Sequence, residues 1–242
     1  MFYTTEDYRD THACISLKAY RNNLRYFKEK AYPTKIMPVI KADGYGHGAV
    51  ELAKVAESEK VEYLVVAFLS EALELRTNGI QTPILVLNYF KPEYVNLFVE
   101  NDLTATVYSS DQFHQLQAFL HKKPLKVHVI LDTGMSRVGF NYHDAVVKIQ
   151  PILADTHFEV TGLYTHFSSA DENELAFTKL QYDRFKNVAK HFESIPVKHI
   201  ANSAGALFFE ENLFDFVRIG IASYGLDPKN RKRSVHLEPV LS

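Results

Sequence analysis

Five side chains that could do acid–base or covalent chemistry lie in, end or follow short apolar segments of this sequence. They are, in chain order, Lys41, Arg137, His166, Ser203 and Arg218. Taken one at a time, each has a structural explanation, such as a surface lysine, a core histidine or a helix cap. Because the carboxyl ends of the strands of a barrel meet at one rim, we predict that the five residues share one site.

Lys41 ends an apolar segment and is followed by a permissive turn. A lysine at the end of a buried strand is partly desolvated, which disfavours the ammonium form and leaves an amine able to attack an aldehyde. The turn contains three glycines, Gly44, Gly46 and Gly48. Glycine allows a sharp turn, and we expect this turn to bring Tyr45 back towards the site.

The sequence also contains a candidate phosphate site. Ser203 opens a predicted helix after the seventh apolar segment, and Gly220 and Ile221 offer backbone N–H groups after the eighth. Barrel enzymes commonly bind phosphate in these two loops. A cofactor with an aldehyde and a phosphate is pyridoxal 5′-phosphate, which we predict as the cofactor.

Eight apolar segments alternate with amphipathic stretches, which predicts a (β/α)8 TIM barrel. Val, Ile and Leu dominate the segments, as in strands buried on both faces. A doubly wound open sheet is the competing fold, but it usually has fewer strands. The segments are 35–42, 62–68, 82–88, 103–108, 126–133, 159–167, 197–203 and 216–225.

The intervening stretches have helical patterns. Ser70 is the predicted N-cap of one helix and Gly79 its terminating glycine. Leu180 belongs to the predicted apolar face of the longest helix, within 173–192. A further helix precedes the first strand, with Leu17 among the residues of its apolar face.

Composition excludes several classes of protein. The 242 residues are 46% apolar, enough for a sizeable core, and the net charge of −2 gives no footprint for nucleic acid. No apolar run approaches the roughly 18 residues that a membrane span needs. The single cysteine, Cys14, is expected to be a small buried residue. We predict a cytoplasmic protein with no membrane partner and no metal site.

The sequence resembles the alanine racemases, which are fold-type III pyridoxal-phosphate enzymes. "VIKADGYGHGA" resembles their lysine signature, and four further blocks follow in the family's order: "LDTGMSRVGF", "GLYTHFSSAD", "HIANSAGAL" and "VRIGIASYGLDP". "YRDTHACISLKAYRNNL" resembles the family's beginning. Together these blocks cover almost the whole chain, so the resemblance is specific.

The resemblance implies a role for each matching residue. Lys41 would hold the cofactor and exchange the α-proton on the D face, and Arg137 would contact the cofactor phenolate and the substrate carboxylate. His166 would lie beside the ring as a partner of Arg218, which would hydrogen-bond the pyridine nitrogen. The implied phosphate-side contacts are Tyr45, Asn202, Ser203, Gly220 and Ile221. An arginine at that nitrogen should keep it unprotonated, because two cationic groups in contact repel.

Two departures from the family qualify these roles. Many members have a lysine, often carbamylated, seven positions before the arginine, where this sequence has Ile130. Racemisation needs bases on both faces of the substrate, and the family's second base is a tyrosine of a C-terminal β domain, supplied across a dimer. We expect residues 1–230 to form the barrel and residues 231–242 to be a linker and the first strand of that otherwise missing domain.

The predicted function is therefore pyridoxal-phosphate-dependent interconversion of L-alanine and D-alanine, with D-alanine serving peptidoglycan. The chain would be a fragment without the second-base tyrosine, poorly active alone and homodimeric when full-length. Three alternatives stay open: a serine or broad-specificity racemase, a one-domain pyridoxal-phosphate homeostasis barrel, and a non-catalytic barrel used for binding. Turnover of serine against alanine tests the first, and failure to take up cofactor would favour the last.

Overall fold

The structure is a computed structural model that describes residues 12–120, 123–229 and 236–242. Its strands form a parallel ring in the order β1-β9-β8-β7-β5-β4-β3-β2, and a parallel bridge between Val39 and Val65 joins the two ends. The two-residue β6 pairs with β5 outside this ring. The predicted (β/α)8 barrel is confirmed. The strands are β1 (Lys35–Pro38), β2 (Leu64–Val66), β3 (Ile84–Val86), β4 (Leu103–Val107), β5 (Leu125–Asp132), β6 (Phe140–Asn141), β7 (Phe158–Tyr164), β8 (Val197–His199) and β9 (Phe216–Ile219).

Helices pack around the outside of the ring. α1 illustrates how they form: the Ser16 hydroxyl accepts a hydrogen bond from the Ala19 amide at the helix start, and Tyr20, Leu24 and Phe27 are fully buried on one face. The helices are α1 (Leu17–Ala31), α2 (Lys41–Gly46), α3 (Ala49–Ser58), α4 (Leu69–Thr77), α5 (Val95–Glu100), α6 (Ser110–Gln117), α7 (Ala145–Ala154), α8 (Ala176–Ala189) and α9 (Ser203–Phe208).

The core has two parts because the strands are apolar on both faces. The larger part lies between strands and helices and includes Leu64 and Val66. A smaller cluster lies inside the ring, where Met37, Val65 and Leu85 are fully buried.

Some local predictions were wrong. The strands are shorter than the apolar segments, since several residues at their carboxyl ends belong to loops. Ser70 is not an N-cap: α4 begins at Leu69, and the Glu71 side chain accepts from the Phe68 amide instead. Leu180 is 42% exposed, because α8 turns Thr178, Gln181 and Phe185 to the core. α5, α7 and β6 were not predicted.

The last described segment pairs with the beginning of the described chain. Ile15 and Leu241 form an antiparallel bridge, and the Cys14 and Ser242 backbones exchange two hydrogen bonds. Cys14 is exposed, so its predicted burial was wrong. Val240, in contrast, is buried. The predicted domain boundary at residues 230 and 231 lies outside the described residues. None of the described helices is long and apolar enough to cross a membrane.

Candidate active site

One cavity of about 940 Å³ opens at the carboxyl ends of the strands. All nine residues proposed from the sequence as site residues line it, so the structure brings them together. They are Lys41, Tyr45, Arg137, His166, Asn202, Ser203, Arg218, Gly220 and Ile221. This is the end of the barrel where such folds place their chemistry.

Lys41 starts an unusual turn. Ala42, Asp43, Gly44 and Tyr45 all have left-handed dihedral angles, with φ between 51° and 60°, a conformation that L-residues other than glycine rarely adopt in succession. Gly44 is required here, because a Cβ would lie 2.5 Å from a methyl carbon of Leu52. The turn explains why the sequence changes so abruptly from strand to helix after Lys41.

Two carboxylates hold this left-handed turn. Glu71 accepts from the Ala42 amide at 2.6 Å and, through its other oxygen, from the Ala67 and Phe68 amides at 2.7 and 2.9 Å. Asp43 accepts from the Ala49 amide at 2.7 Å, at the start of α3. The backbone that follows Lys41 is therefore held by carboxylates, and the Lys41 side chain lines the cavity.

The turn returns Tyr45 to the cavity, as expected from the sequence. Its ring centroid lies 5.9 Å from Lys41 Nζ and 5.1 Å from the ring of Tyr224. A Cβ at Gly220 would lie 3.0 Å from the Tyr45 hydroxyl, so the glycine leaves space for that hydroxyl. Burial, with a smaller contribution from the charge of Glu71, raises the pKa of Tyr45, so it stays a hydroxyl that can donate.

Donors for an anion gather beside the Tyr45 hydroxyl. The Ser203 hydroxyl oxygen accepts from the Gly220 and Ala222 amides at 2.9 and 3.3 Å, which leaves its hydrogen free to donate. The Gly220 amide is thus already occupied, whereas no hydrogen bond from the Ile221 amide is seen within the described chain. Asn202 caps α9 by accepting from the Gly205 amide at 3.0 Å.

Arg218 is a buried cation without a carboxylate partner among the described residues. It is 4% exposed and donates to the Thr165 carbonyl at 2.8 Å and to the Ile200 carbonyl at 3.1 Å. It also donates to Nδ1 of His199 at 2.6 Å and to Nδ1 of His166 at 3.1 Å. Burial lowers the pKa of Arg218 to about 10, so it remains charged at neutral pH.

His166 is neutral. Burial lowers its pKa to about 3, and the charges of Arg218, Arg137 and Lys41 act in the same direction. Because a guanidinium can only donate, His166 Nδ1 accepts and its proton lies on Nε2. The imidazole can therefore orient Arg218 and donate from Nε2, but it is not an acid at neutral pH.

Arg137 is exposed at the cavity mouth, and its guanidinium makes no hydrogen bond within the described ranges. Ile130, which stands where many relatives have a lysine, is 5% exposed and lines the same cavity. A free guanidinium with a planar fork of donors suits a carboxylate ligand. The position of Arg137 therefore depends on the loop that carries it.

The sequence prediction missed two histidines behind Arg218. His199 and His128 are fully buried, and 2.9 Å separates Nε2 of His199 from Nδ1 of His128. The signal was present, since "KVHVILDT" and "VKHIANS" each place a histidine inside an apolar strand. Across the described ranges, no three histidine, cysteine or carboxylate side chains lie together as a metal site requires.

Sequence comparisons agree with this geometry. Residues 15–228 match the family described as "Alanine racemase, N-terminal domain". Alanine racemase 2 of Oceanobacillus iheyensis is 36% identical over 97% of this chain and 62% of its own length. The alanine racemase of Carboxydothermus hydrogenoformans is 40% identical over 97% of this chain and 66% of its own length. The chain thus spans slightly less than two thirds of these relatives.

Solved structures show the same likeness. Alanine racemase of Clostridium difficile 630 in complex with cycloserine has a TM-score of 0.91 at 36% identity, covering 97% of this chain and 67% of that one. The Bacillus anthracis alanine racemase with bound L-Ala-P has a TM-score of 0.89 at 36% identity, covering 97% and 63%.

Proposed function

Because the chain belongs to the alanine racemase N-terminal domain family, we propose that its cavity binds pyridoxal 5′-phosphate and exchanges the α-proton of alanine. The observation that supports this best is the convergence of Lys41, Arg137 and Arg218 on one cavity that also contains a cradle for an anion. The activity proposed for the whole protein is interconversion of L-alanine and D-alanine.

The residues present fit this cofactor. A cradle of neutral donors suited to a phosphate is formed by the Tyr45 hydroxyl, the Ser203 hydroxyl and the Ile221 amide. The missing Cβ of Gly220 leaves space for the phosphate beside them. Lys41 supplies an amine on the same cavity wall as Tyr45. When bound, pyridoxal phosphate supplies a conjugated ring that stabilises negative charge at the α-carbon of an amino acid.

The chain's own residues divide the remaining work. Lys41 would remove and return the α-proton on one face of the substrate. Arg137 would bind the substrate carboxylate with its unpaired guanidinium. Arg218, which remains cationic at neutral pH and donates to buried acceptors, would also donate to the ring nitrogen and oppose its protonation. An unprotonated ring is a weaker electron acceptor, which limits side reactions.

We also propose alanine as the substrate, peptidoglycan as the use of D-alanine, a cytoplasmic location and a homodimer. The solved relatives were studied with cycloserine and L-Ala-P, which supports a small amino acid. Phe68, Tyr89 and Ile221 are 51, 53 and 44% exposed around the cavity mouth, which supports coverage of that mouth by a partner subunit. The base for the second face would come from that partner.

Proton exchange in deuterium oxide tests the proposal. We expect D-alanine, incubated with the chain and pyridoxal phosphate, to gain deuterium at its α-carbon with little conversion to L-alanine. Lys41→Met should abolish the exchange, whereas Lys18→Met, which removes an exposed amine on α1, should not. Nuclear magnetic resonance measures deuterium, and chiral chromatography measures inversion. No exchange by folded, cofactor-loaded protein would contradict the proposal, and faster exchange of serine than of alanine would contradict the assigned substrate.

A further inference from the structure

Because the Arg137 guanidinium has no hydrogen-bond partner among the described residues, its position depends on the loop that carries it. Asp132, at the end of β5, accepts from the Gly134 amide at 2.9 Å and the Ser136 amide at 3.0 Å. These two bonds fix the chain up to the residue before Arg137. The loop is therefore tied to its base at Asp132, and contacts that hold the neighbouring Thr133 bear on the position of Arg137.

Two side chains of α8 hold Thr133. Arg184 donates from Nη1 to the Thr133 carbonyl at 2.8 Å, with its guanidinium 4.4 Å from the ring centroid of Tyr142. Gln181, one turn earlier on the same helix, donates from Nε2 to the Thr133 hydroxyl at 3.3 Å. The loop that carries Arg137 is thus anchored to α8 at both a carbonyl and a side chain.

Gln181 also holds the segment just after β7, where His166 lies. Its Nε2 donates to the His166 carbonyl at 3.0 Å, and its Oε1 accepts from the Ser168 amide at 3.0 Å and the Ser168 hydroxyl at 3.2 Å. These partners fix the amide orientation, because the Ser168 amide can only donate and the His166 carbonyl can only accept. Gln181 is 0% exposed and uses both donors and both acceptor positions.

Hydrogen bonds through Thr133 and Thr165 connect Gln181 with a residue that Arg218 contacts. The Thr165 hydroxyl donates to the Leu131 carbonyl at 2.8 Å, so it accepts from the Thr133 hydroxyl 2.9 Å away. Thr133 in turn accepts from Gln181. The carbonyl of Thr165 accepts from Arg218 at 2.8 Å. One buried amide therefore connects the backbone segments that carry Arg137, His166 and a contact of Arg218.

We propose that Gln181 is a positioning residue that sets the spacing between Arg137 and His166 across the cavity. The proposal rests on the proposed function only in giving that spacing a use, namely placing the substrate carboxylate against the site. It also explains how Arg137 can be positioned although this chain has Ile130 where many relatives have a lysine. Because α8 holds the loop, Arg137 needs no charged neighbour at position 130. A fully satisfied buried amide is costly to disturb and gives one defined arrangement.

Gln181→Met tests the proposal against a matched variant of the same helix. Methionine keeps the length of the side chain and removes all four hydrogen bonds. Thr178 is also fully buried on α8, but its hydroxyl has no hydrogen-bond partner among the described residues. Thr178→Val therefore changes a buried side chain of α8 without breaking any such bond, and it should leave the site unchanged.

Two measurements separate positioning from stability. The magnetic-resonance shifts of the ring of a histidine with an ordinary pKa change between about pH 8 and about pH 6. The ring shifts of His166 should stay constant over this range in the cofactor-free chain and in Thr178→Val. In Gln181→Met they should change. In the cofactor-loaded chain, propionate should bind about tenfold more weakly to Gln181→Met, an effect of ~1.4 kcal/mol. A folded Gln181→Met with unmoved His166 signals and unchanged propionate binding would overturn the proposal.

A second variant keeps the test decisive if Gln181→Met does not fold. Thr133→Val removes the Gln181–Thr133 bond and the Thr133–Thr165 bond, and leaves the His166 carbonyl bond intact. It should weaken propionate binding without moving the His166 signals, and unchanged propionate binding would overturn the proposal. If the chain takes up no cofactor, the proposed function fails, but the His166 signals of the cofactor-free Gln181→Met protein still decide the role of Gln181.

Discussion

His199 accepts a hydrogen bond of 2.6 Å from Arg218, between Nδ1 of the imidazole and Nη1 of the guanidinium. Since the guanidinium only donates, His199 carries its proton on Nε2 and donates it to Nδ1 of His128 at 2.9 Å. His128 then carries a proton on its own Nε2, which has no partner in the structure. Arg218 is thus held by neutral rings and carbonyls, and its positive charge is left for the cavity.

These neutral histidines predict a loss of stability in acid. Burial lowers the pKa of His128 from 6.5 to about 3, with the charge of Arg218 adding to the effect. The unfolded chain therefore binds more protons than the folded chain below about pH 6.5, so stability is complete above that pH and falls towards pH 3. From pH 7 to pH 5, His128 alone should lower the free energy of unfolding by about 2 kcal/mol.

Urea unfolding at several pH values measures this effect, with His128→Gln as the control. Glutamine keeps an acceptor for His199 but does not titrate, so the fall in stability between pH 7 and pH 5 should be smaller than in the parent chain. Equal pH dependence in the two proteins would mean that His128 is not held neutral.

Gly162 makes room for His128. The pairing of β5 with β7 shifts register between Val127 and His128, and a Cβ on Gly162 would lie 2.4 Å from the His128 ring. Gly162→Ala should therefore destabilise the chain by about 1–3 kcal/mol through overpacking. In a His128→Ala background the same change should cost less, because the ring is gone. Thermal or urea unfolding of the four proteins measures the coupling, and equal costs in both backgrounds would contradict it.

Ser203 should matter for the phosphate and not for the ring of the cofactor. Ser203→Ala removes a hydroxyl aimed into the cavity, and we expect pyridoxal 5′-phosphate to bind about tenfold more weakly, as for loss of a hydrogen bond to a charged group. Binding of pyridoxal, which lacks the phosphate, should be unchanged. Ser223→Ala is the matched control, because the Ser223 hydroxyl is buried and bonds the Gly220 carbonyl at 2.7 Å. An equal loss for both ligands would remove Ser203 from the phosphate cradle.

Glu71 should control how Lys41 is presented. A carboxylate accepts from all three amides that face it, whereas the amide of Glu71→Gln would turn an N–H towards at least one of them. We expect a loss of about 1–3 kcal/mol in stability, together with weaker binding of pyridoxal phosphate. Glu74→Gln, an exposed change on the same helix, is the control. Unchanged stability and cofactor affinity in Glu71→Gln would show that the left-handed turn holds itself.

Much of this architecture could be predicted from sequence because buried parallel strands leave a strong apolar pattern. The pattern located all eight barrel strands and hence the rim where Lys41, His166 and Arg218 meet. It did not reveal α7, whose apolar residues surround an internal Pro151, or the exposure of Leu180, which depends on how α8 is rotated against the barrel.

The supporting residues were harder to predict for a physical reason. The partners of Gln181 lie in the loops that follow β5 and β7, so nothing in the sequence of α8 distinguishes it from a surface glutamine. His128 and His199 did carry a signal, as polar residues inside apolar strands. The glycines after Lys41 predicted a sharp turn, but not its left-handed conformation at Ala42, Asp43 and Tyr45. Residues other than glycine do not favour this conformation, so their sequence carries no signal for it.

The most direct test of the account is to find where pyridoxal phosphate attaches. The chain would be incubated with the cofactor, its visible absorbance recorded, the product reduced with borohydride, and the labelled peptide identified by mass spectrometry. We predict a single label on Lys41, lost in Lys41→Met while the protein remains folded. No label on folded protein, or a label spread over surface lysines with none at Lys41, would contradict the claim that this cavity is a pyridoxal-phosphate site.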